Sequence, residues 1–115
     1  MDDGQFLVAT TEHGSIAVTR DAIVEIVGHA VVESYGVVAF AGERRMSRTF
    51  PRGVRRGVDV ELRDDGLVVE IRVVVERGLK LAEVAAAVRE RVLYELERMV
   101  GLPVASLEVR IEKVR

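Results

Sequence analysis

The chain has 115 residues, of which 49% are hydrophobic and 31% are charged, a balance typical of one globular domain spanning residues 1–115. It contains no cysteine, which excludes disulfides, thiolate metal sites and cysteine nucleophiles. Its net charge of −2 argues against a general polyanion binder.

No stretch without a charged residue exceeds nine residues, whereas a membrane-spanning helix needs about 20 apolar residues. The N-terminus begins acidic, where a signal peptide would be basic. We therefore expect a cytoplasmic protein without direct membrane insertion.

Turn and cap residues delimit the elements of the first part of the chain. Gln5–Thr10 is either a short strand or a loose arm, and Ser15–Val18 is a strand. Thr19 is a suitable N-cap for a helix over Arg20–Tyr35, which carries apolar residues at helical spacing. Gly36 supplies the left-handed residue that commonly ends a helix.

Three strand patterns follow, two of them joined by a tight turn. Val37–Ala41 is a short apolar run that indicates a buried strand. Val58–Arg63 alternates apolar and charged residues, and so does Leu67–Glu76, with Val69, Ile71, Val73 and Val75 on its inner face. The Asp-Asp-Gly sequence between them predicts a hairpin.

A second helix and a last strand complete the chain. The helix covers Leu81–Val100 and ends before Gly101, and the strand covers Leu107–Val114. The order β-α-β-β-β-α-β, with strands charged on one face only, predicts an α/β (α+β) fold. We expect a two-layer sandwich with a mostly antiparallel or mixed sheet and both helices on one face. The predicted inner stripe of the second helix is Leu81, Ala85, Val88, Val92, Leu96 and Met99.

Charged residues alternate on the outer face of the predicted sheet. Acid–base catalysis is one interpretation, but we favour cross-strand ion pairing, because exposed carboxylates rarely act as catalytic acids or bases. Val68 and Val74 interrupt this charged face, and Val32 interrupts the polar face of the first helix. If these valines are exposed and grouped, they mark a contact with another subunit.

An arginine-rich loop over residues 42–57 is the main signal that the fold does not explain. At about 16 residues it is longer than most connections in compact domains. Residues 44–56 of this loop hold six arginines and no acidic residue. Six such guanidinium groups suit a phosphate, a carboxylate or an acidic protein surface, although a solvated loop is the simpler alternative. The predicted partner- or anion-binding residues are Arg44, Arg45, Arg48, Phe50, Arg52, Arg55 and Arg56.

Motifs for catalysis or cofactor binding are missing from the sequence, including the P-loop, G-x-G-x-x-G, H-E-x-x-H and G-x-S-x-G patterns. Glu25, His29 and Glu33 share helical spacing and form a candidate metal site, with ordinary pairing on a solvated helix face as the alternative. His13 has no partner evident in the sequence. We expect no cofactor, no metal and no catalytic residue.

Glycines, valines and caps occur in a characteristic order along residues 14–114. A Gly-Ser-Ile-Ala-Val strand at Gly14–Val18 precedes a helix start at Asp21–Ile26. The later motifs are Tyr35–Val38, Arg56–Val60, Val73–Gly78 and Val100–Val104. This order resembles the alkaline shock protein family, small bacterial proteins linked to envelope and general stress.

The resemblance implies a non-catalytic interaction or assembly protein of stress response and cell-envelope homeostasis. It also implies a cytoplasmic homo-oligomer that, in some members of the family, gathers at the membrane through a membrane-anchored partner protein. The arginine-rich loop gains no support from it, because that loop varies within the family. The alternative function, an RNA- or phosphate-binding module, therefore depends on the arginines alone.

Overall fold

The computed structural model describes residues 5–41 and 57–115, and within them two helices and six strands. One additional strand precedes the predicted order, because the N-terminal segment forms a strand rather than a loose arm. The elements are β1 (Gln5–Thr11), β2 (Gly14–Thr19), α1 (Arg20–Val32), β3 (Val37–Phe40), β4 (Val58–Arg63), β5 (Gly66–Val75), α2 (Leu81–Met99) and β6 (Val104–Val114).

Strand β5 is the centre of a four-stranded sheet. Strand β6 pairs with it in parallel along one edge. Along the other edge, β4 and β3 both pair with β5 in the antiparallel direction. Strand β4 pairs with Gly66–Ile71, and β3 pairs with Val73–Val75. Strands β1 and β2 form a separate antiparallel hairpin. The sheet is therefore mixed, as the sequence predicted.

Both helices pack on the same face of the sheet. Every second residue of β5, from Leu67 to Val75, contributes to one hydrophobic cluster together with α1 and α2. Val27 and Val31 of α1 and Val88 of α2 are fully buried in this cluster. The predicted two-layer α+β sandwich is thus confirmed.

The inner stripe of α2 differs from the prediction at both ends of the helix. Leu81 is 43% exposed and Met99 is 54% exposed, although both lie on the side of the helix that Val88 and Leu96 bury. They are the first and last residues of α2. Val84 and Val100 are buried in their place.

The three valines that interrupt the polar faces differ in exposure. Val74, on the outer face of β5, is only 2% exposed, and its register partner Ala39 is fully buried. Val32, at the end of α1, and Val68, on the outer face of β5, are both partly exposed. The three valines therefore do not form the exposed group that would mark a subunit contact.

Thr19 caps α1 as expected. Its hydroxyl accepts a hydrogen bond of 3.1 Å from the N–H of Ala22. The helix ends at Val32, three residues earlier than predicted, because the N–H of Ser34 bonds to the oxygen of Val31 at 3.0 Å and tightens the last turn. Gly36 then follows with φ +91°, the left-handed conformation that its position requires.

Replacing Thr19 by alanine should lower the free energy of unfolding by about 1 kcal/mol, because an N–H in the first turn loses its acceptor. Urea denaturation followed by circular dichroism measures this difference. Thr19→Ser is the matched control, and it should stay within about 0.5 kcal/mol of the parent because it keeps the hydroxyl. Equal losses in both variants would contradict the capping role.

Candidate functional site

The outer face of the sheet carries charges in rows that run across the strands. Asp59, Glu70 and Glu108 lie in register on β4, β5 and β6 and form an acidic row. Arg72 and Arg110 lie in register in the next row, two residues further along β5 and β6. Like charges therefore meet within a row, and opposite charges meet between rows.

Ion pairs join the two rows. Arg72 Nη2 lies 3.4 Å from Asp59 Oδ2, and its Nε lies 3.8 Å from Glu70 Oε1. Arg110 Nε lies 3.9 Å from Glu70 Oε2 and 3.3 Å from Glu108 Oε2. The Arg72–Asp59 and Arg110–Glu70 pairs cross between strands, in agreement with the ion-pairing interpretation, whereas the other two pairs join residues of the same strand. Exposed pairs of this kind contribute about 0–1 kcal/mol each, so they favour the strand register more than overall stability.

The arginine-rich segment leaves and re-enters the sheet at a single residue of β5. The N–H of Ala41, after β3, donates to the oxygen of Arg72 at 2.9 Å, and the N–H of Arg72 donates to the oxygen of Gly57, before β4, at 2.7 Å. Strands β3 and β4 thus act as one edge strand that is interrupted opposite Arg72. A long insertion at such a point costs little, because closure entropy grows slowly with length.

Gly57 makes this junction possible. Its φ is +86°, and a Cβ atom there would lie 2.6 Å from the backbone oxygen of Arg72 and 3.3 Å from the backbone nitrogen of Ala41. Both neighbours are backbone atoms held in the sheet, so neither can move aside without breaking a strand hydrogen bond. The end of the arginine-rich segment therefore requires glycine.

The predicted anion-binding side chains lie outside the described residues. Their interpretation as a phosphate or partner site stays a prediction from the sequence. The junction at Arg72 fixes where the segment attaches, at the edge of the sheet where β3 and β4 meet. The residues concerned are Arg44, Arg45, Arg48, Phe50, Arg52, Arg55 and Arg56.

Glu33, from the candidate metal site on α1, binds an arginine of the other helix. Arg91 of α2 donates from Nη2 to Glu33 Oε1 at 2.6 Å, and His29 Nε2 lies 3.3 Å from Glu33 Oε2. The carboxylate thus links the two helices. Within residues 5–41 and 57–115, no group of three or more potential metal-binding side chains comes together.

Helix α2 holds a buried carboxylate that the sequence reasoning did not single out. Glu95 is 7% exposed and accepts hydrogen bonds from Arg98 Nη2 to both of its oxygens, at 3.0 and 3.2 Å. This hydrogen bond, followed by the attraction of the carboxylate charge, raises the pKa of Arg98. The Arg98 guanidinium also lies 5.8 Å from the centre of the Tyr94 ring. The i,i+3 spacing of Glu95 and Arg98 was the signal available in the sequence.

A groove of about 500 Å³ runs along the free edge of β4. Arg20 at the start of α1 borders it, and the guanidinium of Arg20 lies 5.7 Å from the centre of the Phe6 ring. The groove combines valines with carboxylates and one guanidinium, so its lining has mixed character. The other lining residues are Val24, Val58, Asp59, Val60, Glu61, Val68 and Glu70.

The fold and these surfaces define a small two-layer α+β protein whose distinctive features are an open, ion-paired sheet face and an interrupted edge strand. Residues 8–115 match the model of the alkaline shock protein 23 family, which is described as having a cell envelope-related function. The chain belongs to this family, and the resemblance found in the sequence is confirmed.

Relatives in two bacterial genera match over nearly the whole chain. The uncharacterized protein YloU of Bacillus subtilis is 28% identical over 110 residues, covering 91% of this chain and 92% of its own. The uncharacterized protein Spy1614 of Streptococcus pyogenes is 30% identical over 110 residues, covering 91% of each chain. The uncharacterized protein YqhY of Bacillus subtilis is 29% identical, covering 88% of this chain and 77% of its own. No solved structure matches.

Neither helix in the described part of the chain combines the length and the apolar character that crossing a membrane requires.

Gly57→Ala should destabilise the protein by at least about 1 kcal/mol more than Gly78→Ala, as measured by urea denaturation. Gly78 is the matched control, because its φ is +100° but a Cβ atom there would meet nothing within 4 Å. The difference between the two variants isolates the close approach to Arg72 from the cost of the backbone conformation. Equal losses would show that the junction tolerates a side chain.

Proposed function

We propose that this chain is a non-catalytic assembly protein of the cell envelope and its stress response. It works in the cytoplasm as a homo-oligomer, and a membrane-anchored partner protein brings it to the membrane. The observation that carries this proposal is the family match over residues 8–115, since the family is described by a cell envelope-related function.

The charge distribution of the sheet supports a role in protein contacts. The helices cover one face, and on the other face the acidic and basic rows of β4, β5 and β6 pair with each other. Because these charges compensate locally, the face does not present the single-sign field that attracts a polyanion. A surface of balanced charge, with Val68 partly exposed among the charges, suits a complementary protein surface.

Apolar side chains that are exposed elsewhere on the protein also support self-association. Tyr35 is 75% exposed and Tyr94 is 59% exposed, and the ends of α2 expose Leu81 and Met99. Tyrosine and methionine are enriched in protein interfaces, because they offer a large contact area with few charges. These exposed side chains are available for burial in the interfaces of an oligomer.

Size-exclusion chromatography with light scattering, recorded at 260 and 280 nm in low and high salt, tests the proposal. We expect one oligomer that survives high salt and keeps a protein-like absorbance ratio, because contacts that bury apolar surface are not screened by salt. With two tyrosines and no tryptophan, the protein absorbs weakly, so bound nucleic acid would be conspicuous.

A monomer at high concentration in both salts would rule out the assembly function. A species rich in 260 nm absorbance that loses it at high salt would instead favour the RNA- or phosphate-binding alternative, since phosphate contacts weaken steeply with salt. In that case a variant with the six arginines of residues 44–56 replaced by glutamine should lose the nucleic acid.

A further inference from the structure

The β1–β2 hairpin is joined to the rest of the protein at its base. In the described part of the chain, β1 and β2 pair only with each other. At the base, Phe6 is 4% exposed within the core and its register partner Val18 packs against the same cluster. A two-stranded ribbon is marginally stable in water, and a third strand or another packing surface stabilises it.

The apolar side of the hairpin continues beyond the core. Because side chains alternate along a strand, Ile16 points to the same side of β2 as Val18. Val18 is half-buried, but Ile16, one step nearer the turn, is 59% exposed. Most of β2 is exposed, including Ser15 and Ala17. The hairpin therefore presents an isoleucine and a free strand edge that nothing in the described residues covers.

The strands of this hairpin lack the charges that usually protect a free edge. Neither Gln5–Thr11 nor Gly14–Thr19 contains a charged residue, in a chain that is 31% charged. The long outer strands of the main sheet differ, since β4 carries three charged residues and β6 carries four. Charges on edge strands prevent pairing with other chains, so an uncharged edge is open to such pairing.

We propose that the free edge of β2 pairs, antiparallel and about a two-fold axis, with the β2 edge of a second copy of this chain. The two hairpins then form one four-stranded sheet in the order β1-β2-β2-β1. This inference deepens the proposed assembly function and rests on it.

Charge matching favours β2 over the free edge of β4 as the partner strand. On β4, an uncharged strand would lie beside Asp59, Glu61 and Arg63 and would offer them no opposite charge. Against a second β2, no charged group needs to be desolvated. A two-fold axis perpendicular to the sheet at Ile16 also places this residue directly opposite its own copy, so the exposed isoleucines of both chains contact each other.

A charge exchange at position 16 tests this pairing. Ile16→Lys and Ile16→Glu should each raise the dissociation constant of the β2–β2 contact at least about tenfold, because each places like charges across the axis. An equimolar mixture of the two variants should restore association, because lysine then faces glutamate. Light scattering measures the mass of each sample, and circular dichroism verifies that each variant keeps its fold.

Ala86→Lys is the matched control, because Ala86 is exposed in the middle of α2 and lysine is a good helix former. This variant should keep the parent mass. If the parent assembles and Ile16→Lys keeps the parent mass as well, the hairpin pairing is wrong while the assembly function stands. If the parent itself is monomeric, both are wrong. Dissociation of both position-16 variants without rescue on mixing would overturn the two-fold arrangement.

Cross-linking gives an independent measurement, because the chain has no native cysteine. Ile16→Cys should form a disulfide-linked dimer under mild oxidation, or a dimer with a short bismaleimide, since the axis places residue 16 directly opposite its copy. Ala86→Cys, exposed in the middle of α2, is the control and should stay monomeric on a denaturing gel. Equal cross-linking of both variants would contradict the proposed contact.

Discussion

Strand β5 hydrogen-bonds along both of its edges, and this double pairing fixes the position of most other elements. On one edge it holds β3 and β4 end to end, so that a 15-residue insertion leaves and returns opposite Arg72. On the other edge it holds β6 in parallel. A parallel partner next in the chain requires a crossover, and α2 supplies it across the inner face. The buried side of the sheet follows from that crossover, because α2 packs there together with α1.

Covering one face leaves the other face available for contacts. Rows of acidic and basic side chains lie across β4, β5 and β6, and they neutralise each other through ion pairs. The described surface therefore combines balanced charge on the sheet with isolated apolar side chains elsewhere, and the hairpin adds an uncharged edge. These features are the basis for our proposal of protein contacts in a family described by a cell envelope-related function. Strand pairing also needs only backbone groups and a few apolar contacts, so it places few demands on the rest of the sequence.

The elements of the sheet and helices could be predicted from the sequence, because each depends on local pattern. Alternation predicted β4 and β5, helical spacing predicted α1 and α2, and Thr19 predicted where α1 begins, whereas the helix ends three residues before the predicted Tyr35. The errors occurred where burial depends on distant neighbours. Leu81 and Met99 follow the helical period but are exposed at the two ends of α2, and Val74 follows the strand period yet is buried on the outer face. Periodicity gives the direction in which a side chain points, whereas the extent of the neighbouring layer decides whether anything covers it.

By itself, the sequence determined the α+β class, the order of the elements from β2 onward, the capping of α1 and membership of the alkaline shock protein family. These properties depend on residues that are near one another in the chain. The tertiary structure alone decided that β3 and β4 share one edge, that Arg72 is the point where the arginine-rich segment attaches, and that Glu33 links α1 to Arg91 of α2. It also decided that β1 and β2 stand apart from the main sheet. Each of these results depends on which strand edges and helix faces meet, and that choice is made by long-range pairing rather than by local propensity.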